Sequence, residues 1–397
     1  MKKILKQVSL VFSVLLILSS CSTTTEKKQR TAEEYKNATK FMQRSWYRLV
    51  ENQITSQNWI GDNELIYSKR TKDGTEYVSF NLNSKEKTTL TDYKSPKAVS
   101  KGYRRAKRNE HVSPNGRLAA YIDNYNLWIV DLKTEKKKQI TFDGKKDYGY
   151  ATNNAGWIKS NNAVLKWSPN SDKIATFQQD ARGVGMMYLT STNVGHQKLE
   201  AWRHPLPGDK TIFTIERVII HLGNKPKTVR LKMDKDLQRG TTTDHIAGRG
   251  GILLDAQWNK DGSQFAFVSG SRDHKEAHLQ IADARTGKVT SIHKEIVETY
   301  YESGVDAENW RVLFDSNEFI WYSEKSDWGH LYLYDLKSKK LKNQITSGNW
   351  IVKQIRHIDF DAREIYFTGG GKEEGNPYYD YLYKVSFDGK SFKNLTP

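Results

Sequence analysis

The sequence predicts an all-β fold, a β-propeller, with one short helix near the N-terminus. Three observations predict it. First, runs of apolar or alternating residues recur at a spacing of about ten residues between polar turns, the pattern of repeated antiparallel strands. Residues 319–322 (FIWY), 330–335 (HLYLYD) and 344–346 (QIT) are the clearest case. Second, one turn-and-strand phrase repeats: residues 113–116 (SPNG), 167–170 (WSPN) and 258–262 (WNKDG) each precede an apolar run. Third, 21 tyrosines and 11 tryptophans favour strands over helices. A unit of about 40–45 residues with several strands is what a propeller blade requires, and its two apolar faces are buried only when blades stack. A β-sandwich is the alternative, but it does not call for a repeated turn phrase.

The N-terminus comes first. Lys2, Lys3 and Lys6 precede a short apolar run, residues 8–18, which ends in Leu18-Ser19-Ser20-Cys21. The run is too short for a comfortable bilayer span and reads as a secretion leader. The arrangement resembles a bacterial lipobox, so residues 1–20 are expected to be a lipoprotein signal peptide and Cys21 the acylated first residue. An ordinary signal peptide with a chance cysteine is the simpler alternative. Cys21 is the sole cysteine, which excludes an intramolecular disulfide and a thiolate metal cluster. Residues 21–30 read as a flexible polar tether. Residues 31–44 hold the helix signal: Thr31 can cap it, and Glu33 and Glu34 suit its first turn.

From residue 45 to 397 strand signals dominate, in seven blade-like blocks. The first spans residues 59–91 and the second 112–142. The third starts at Leu165, and the fourth, the least regular, covers roughly residues 211–243. The fifth begins at Ala256, the sixth is residues 311–352, and the seventh holds strands at 355–360, 364–368 and 381–387. The pairs Asp73-Gly74, Asn115-Gly116, Asp261-Gly262 and Asp388-Gly389 supply the positive φ that tight hairpins need. Trp59, Trp128, Trp167, Trp258 and Trp321 recur in these blocks and are expected in the core.

The formal net charge is +17, with 27% charged residues, which fits a globular chain. A basic balance permits attraction to nucleic acid, anionic lipid or acidic glycans. The lysines are scattered through strand-connecting turns, so solubilising surface charge is the simpler reading, and nucleic acid is not an expected partner. No metal or cofactor is expected. His274 and His278 lack a third ligand, the Gly183/Gly185 pair lacks a dinucleotide fingerprint, and Gly369-Gly370-Gly371-Lys372 lacks the spacing of a phosphate loop.

Five segments carry a family resemblance: residues 165–175 (LKWSPNSDKIA), 188–193 (YLTSTN), 205–209 (PLPGD), 257–267 (QWNKDGSQFAF) and 321–335 (WYSEKSDWGHLYLYD). Their order resembles the N-terminal propeller of the dipeptidyl peptidase IV branch of the prolyl oligopeptidase family of serine peptidases. The resemblance implies eight blades capping an α/β-hydrolase domain that removes dipeptides from peptide N-termini. It implies peptide substrates as partners and a homodimer for the intact enzyme. The chain is expected to hold only the propeller, residues 45–397, incomplete at its C-terminus. No Gly-x-Ser-x-Gly elbow occurs; the nearest string, at Gly389 and Ser391, lies in a hairpin. No catalytic residue is therefore assigned.

The family holds the substrate ammonium with paired glutamates just before the Trp-Ser-Pro turn, where residues 155–160 here read AGWIKS and hold no acid. Glu373-Glu374 and the cluster Glu302, Asp306, Glu308 are read as solvated loop charge. Asn153, Asn154 and Trp157 are expected to replace the missing acids with amide and aromatic contacts. Asp180 and Arg182 bracket a bend, either as an internal ion pair or as a contact lining the propeller tunnel. The expected function is the propeller portion of a lipid-anchored exopeptidase in the cell envelope, facing the periplasm or cell surface from the outer membrane. The alternative is a stand-alone propeller lipoprotein that binds peptides or glycans.

Overall fold

In the computed structural model the described residues are 29–39, 41–42, 50–91, 93, 104–152, 160–237, 246–247, 251–303 and 308–397. The chain divides into two compact units, residues 1–99 and 100–397. The fold is all-β and of the propeller class, with one α-helix among the described residues, and no described helix is long and apolar enough to cross a membrane.

The first unit holds the helix α1 (Ala32–Thr39) and one four-stranded antiparallel sheet. The helix starts as the capping rule requires. The Thr31 hydroxyl accepts the Glu34 backbone N–H at 3.2 Å, and the Glu34 carboxylate accepts the Thr31 N–H at 2.8 Å. It stops at Thr39, short of the expected residues 42–44. The sheet runs in order through Ile54–Ile60, Glu64–Thr71, Gly74–Asn81 and Lys87–Leu90 (β1–β4). All of β1 is exposed, Trp59 included at 52%, so the expectation that Trp59 is core fails. The strand alternates Thr, Gln and Trp without an apolar face, and Ile66 and Val78 on its neighbours carry the burial instead.

Among the described residues the second unit holds five blade-like sheets and one separate two-stranded hairpin. The second sheet is His111–Val112, Leu118–Asp123, Asn126–Asp131 and Lys137–Gln139 (β5–β8). In the third, Lys166–Trp167 (β10) pairs with Lys173–Asp180 (β11), which pairs with Thr214–His221 (β14), which pairs with Lys227–Arg230 (β15). Short strands Tyr148–Tyr150 (β9) and Asp236–Leu237 (β16) extend it, and Met186–Thr190 with Leu199–Arg203 (β12, β13) form a separate hairpin. The fourth is Ala256–Trp258, Gln264–Gly270, Glu276–Asp283 and Val289–Ile296 (β17–β20). The fifth is Arg311–Leu313, Glu318–Ser323, His330–Asp335 and Leu341–Gln344 (β21–β24). The sixth is Ile351–Asp359, Glu364–Gly370, Tyr381–Ser386 and Phe392–Asn394 (β25–β28).

Six blade-like sheets therefore stand where seven blocks were expected. The third and fourth blocks are two halves of one sheet: Lys173 pairs with His221 and Asp180 with Thr214, and residues 181–213 are an excursion between the paired strands. Strands β11 and β14 find each other because each buries both faces, which rewards direct pairing more than loop length penalises it. The last block gains a fourth strand, β28, that its weak polar sequence did not announce.

Successive sheets of the second unit bury a separate apolar cluster in each gap. Leu127 and Ile174 meet between the second and third, Phe177 and Phe265 between the third and fourth, Leu279 and Phe319 between the fourth and fifth, and Leu331 and Phe367 between the fifth and sixth. Polar side chains of the first strands then zip neighbours together. The Trp167 indole donates to the His111 carbonyl (3.0 Å) and the Trp258 indole to the Lys166 carbonyl (3.2 Å). The Gln257 amide both donates to the Val312 carbonyl (2.8 Å) and accepts its N–H (3.0 Å), as a strand would. Asn309 does the same for Lys353 and Ile355, both at 2.9 Å. The recurring tryptophans are thus wedges with a directed N–H as well as core; Trp321 and Trp258 are buried and Trp128 half-buried.

Candidate functional site

In each antiparallel sheet the turns joining strands one to two and three to four lie at one end, the turn end. The other end, the loop end, carries the two-to-three connections and the passages to the next sheet. Two polar clusters of the second unit lie at loop ends beside cavities.

The first cluster stands at the end of β11. The register Tyr148 to Asp180, Tyr150 to Gln178 and Gln178 to Glu216 places these side chains on one face of the third sheet. Arg182 forks onto Asp180 (2.8 and 2.7 Å), and its guanidinium lies 4.1 Å above the Tyr148 ring. Lys235 donates to Asp180 at 3.1 Å and lies 3.3 Å from Glu216, which also accepts the Tyr148 hydroxyl at 3.0 Å. Arg230 closes the row on Glu216 (3.0 Å) and Asp143 (3.2 Å). The hydrogen bond from Arg182 holds the Asp180 carboxyl far below its ordinary range, and burial with the Asp143 hydrogen bond raises Tyr150. Every formal charge here has a partner, so the cluster is a stiff, neutral clasp rather than a reactive group.

The clasp roots the excursion of residues 181–213. Arg203 pins its far leg, donating to the Val184 carbonyl (2.7 Å) and to Asp147 (2.8 Å). Arg272 reaches from the fourth sheet to the Asp209 carbonyl at 2.8 Å. A cavity of about 330 Å³ opens at the root between Asp147, Ala181, Trp202 and Phe213. Beyond the pins the β12–β13 hairpin exposes Tyr188, Leu189, Val194 and Leu199.

The second cluster joins the first strands of the third, fourth and fifth sheets. Asp255 is buried in a left-handed conformation (φ 46°) just before β17. Its N–H donates to the Glu308 carboxylate at 2.6 Å, and its own carboxylate accepts the Trp310 indole N–H at 2.7 Å. Lys166 donates to the Ala256 carbonyl, and Arg311 to the carbonyls of Glu308 and Trp310. A cavity of about 170 Å³ lies between Lys166, Gln257, Glu308 and Arg311. Burial, and then the Glu308 charge, raise the Asp255 carboxyl; burial lowers Lys166 and Arg311. Glu308 is therefore no solvated loop charge: the αL turn at Asp255 aims an N–H at it across 53 residues of sequence. The sequence signal was an acid three residues before a first strand.

Other expected features resolve as structure. Glu373 accepts the Tyr383 hydroxyl at 3.0 Å. His274 lies in a turn stacked on Tyr300, and His278 on β19 bonds Ser291. Gly369 and Gly370 belong to β26, where a Cβ on Gly369 would stand 2.9 Å from the Ile351 carbonyl. In the Trp-Gly-His-Leu-Tyr segment, His330 is fully buried. Its Nε2 donates to the Gly348 carbonyl (2.9 Å), so Nδ1 accepts from the Thr346 hydroxyl (3.0 Å). Among the described residues no group of three or more metal-ligating side chains could hold a metal ion. Asp180 and Arg182 are brought together; Asn153, Asn154, Trp157, Asp306 and Cys21 lie outside the described residues.

The chain matches the family model of the dipeptidyl peptidase IV (DPP IV) N-terminal region over residues 51–397. It is 22% identical over 309 residues to a probable dipeptidyl-aminopeptidase B from Podospora anserina, which covers 72% of this chain and 32% of that relative. Among solved structures it is similar to the dipeptidyl peptidase 4 of Porphyromonas gingivalis, with a TM-score of 0.56 and 16% identity. That likeness spans 86% of this chain and 44% of the other. The chain thus spans about a third of the curated relative's length and under half of the solved one's, within the part that the family model describes. It belongs to the family of the dipeptidyl peptidase IV N-terminal region.

Proposed function

We propose that this chain is the propeller portion of a lipid-anchored bacterial serine exopeptidase resembling dipeptidyl peptidase IV, and that it gates and orients peptide substrates for a hydrolase domain. The family match over residues 51–397 carries this reading. The loop ends of the second unit are the proposed substrate-facing surface, because the Asp180 and Asp255 clusters and their cavities lie there. Asn153, Asn154, Trp157, Asp180 and Arg182 are the residues proposed to meet the peptide. Arg182 and Lys235 already neutralise Asp180, so this carboxylate alone does not replace a pair of free acids for an ammonium group. Recognition then rests on amide and aromatic contacts. Acylated Cys21 would hold the protein in the cell envelope, and a second copy is the proposed partner for the exposed β12–β13 hairpin.

The test is the activity of the complete gene product. It should release dipeptides from chromogenic substrates and lose this activity to a serine-directed inhibitor. A complete product without such activity, bearing no Gly-x-Ser-x-Gly elbow, would favour a stand-alone binding propeller instead. Intact-mass measurement tests the anchor: the mature chain should begin at an acylated Cys21, and Cys21→Ser should leave the membrane fraction.

A further inference from the structure

The turns between strands three and four of the second and third sheets carry a dense run of lysines. Residues 133–138 read KTEKKK and residues 225–227 read KPK. The Lys138 ammonium donates to the carbonyls of Gly223 (3.0 Å) and Asn224 (2.9 Å), which stitches the two turns side by side. Lys133, Lys136, Lys137, Lys225 and Lys227 are all exposed, and no ion pair among the described residues occupies them. The nearby acids are engaged elsewhere. Asp131 pairs with Arg117 at 3.0 Å and is held down to about 2 by its turn amides and that pair. Glu135 lies 4.0 Å from Arg104, and Asp172 pairs with Lys173 at 2.9 Å.

The ridge has the chemistry of a charge-density reader. It presents compact ammonium groups without an arginine fork, and neither turn holds an aromatic ring on which bases could stack. Such a surface suits a sheet of anionic headgroups better than a nucleic acid strand. Its place in the fold adds a consequence. Hydrogen bonds from the Asn115 N–H to Ser171 and from the Asn170 amide to the Asp261 carbonyl set the turn ends of the second, third and fourth sheets on one side. We propose that this lysine ridge docks the second unit on an anionic lipid surface, turn ends toward the lipid and loop ends away from it. This deepens the envelope reading above without needing the acyl chain.

The test uses the full chain carrying Cys21→Ala, so that no acyl group can hold it. It is sedimented with vesicles of phosphatidylcholine alone and of phosphatidylcholine with one third phosphatidylglycerol. Binding should appear with the anionic vesicles only and weaken as salt rises. Each lysine near such a surface contributes about fivefold, so the K133E/K137E/K225E/K227E variant should bind at least about six-hundredfold more weakly. The variant K145E/K198E/K210E/K275E changes charge equally at loop ends and should lose less than about tenfold. Thermal melts of both, whose sites are all exposed, check that they are folded. Equal losses in the two variants, indifference of the unsubstituted chain to phosphatidylglycerol, or ridge-dependent binding of heparin or duplex DNA without vesicle binding would each overturn the proposal. A mass spectrum without acylation at Cys21 would overturn the anchor and leave this result standing.

Discussion

The two ends of the sheets in the second unit are built by different physics. At turn ends each strand connection closes locally, and longer contacts such as that of Lys138 with Gly223 join one finished turn to the next. Asp131, Asp283, Asp335 and Asp388 each accept backbone amides two or three residues on, and Gly116, Gly262 and Gly389 supply positive φ. At loop ends the local Asp180–Arg182 pair stands among contacts from far away: Arg203 meets Asp147 across 56 residues and Asp255 meets Glu308 across 53. Two buried acids show the difference. Glu318, beside the turn ends of the fifth and sixth sheets, is bound by Arg363 at 2.8 and 3.1 Å and by Lys342, and its carboxyl falls to about 2 as those hydrogen bonds outweigh burial. Among the described residues Asp255 has one indole N–H within bonding distance of its carboxylate and a second carboxylate nearby, and its carboxyl rises. Compensation at Glu318 gives stability; its shortfall at Asp255 is the kind of local cost found where surfaces meet ligands.

The sharpest way to break this comparison is through glycines. Gly329, at a loop end, is required for space: a Cβ there would stand 1.8 Å from the hydroxyl oxygen of buried Tyr322. Gly329→Ala should cost about 3 kcal/mol in urea unfolding, the upper range of overpacking. Gly116, at a turn end, has open space around its Cβ direction but a φ of 76°. Gly116→Ala should cost about 1 kcal/mol, from the left-handed conformation alone. Equal costs would show that the two ends do not differ in this way.

The next largest effect is expected at Glu318. Its folded carboxyl lies below the unfolded value, so its contribution is complete above the ordinary carboxylate range and is lost as pH falls toward about 2. Glu318→Gln should cost about 1–2 kcal/mol at neutral pH, allowing for the solvent around Lys342 and Arg363. It should also flatten the acid limb of the stability curve. An unchanged acid limb would remove the assignment.

The smallest effect is expected at Asp255, with the opposite sign. The folded carboxyl is raised, so the folded chain binds the extra proton and stability falls as pH climbs out of the ordinary carboxylate range. Asp255→Asn keeps an oxygen for the Trp310 N–H and adds an amide that the Glu308 carboxylate can accept. It should be neutral or gain about 1 kcal/mol at neutral pH and lose that slope. A loss at neutral pH comparable to that of Glu318→Gln would mean that Asp255 is compensated after all.

The candidate site was less legible than the fold. The Asp180–Arg182 pair could be read from its two-residue spacing, since a short bend brings the side chains together whatever surrounds them. Glu308 could not, because its role depends on an N–H supplied by another sheet. The tryptophans were legible as apolar wedges, but the carbonyls their indoles reach belong to the preceding sheet, and Trp59 lies on a strand with no buried face at all.

By itself the sequence determined what depends on neighbours along the chain: the capped start of α1, the Asp-Gly and Asn-Gly turns, the alternation that makes strands, and the blade-like repeat. Only the tertiary structure decided which strands pair. It joined Lys173–Asp180 to Thr214–His221 and so made one sheet of two apparent blocks, with residues 181–213 as an excursion. It also brought the lysines of two separate turns into one ridge through Lys138. The physical reason is the same in both cases. A turn's conformational preference is set within four or five residues, whereas pairing is chosen by the apolar area that two distant strands bury together, which no local pattern encodes.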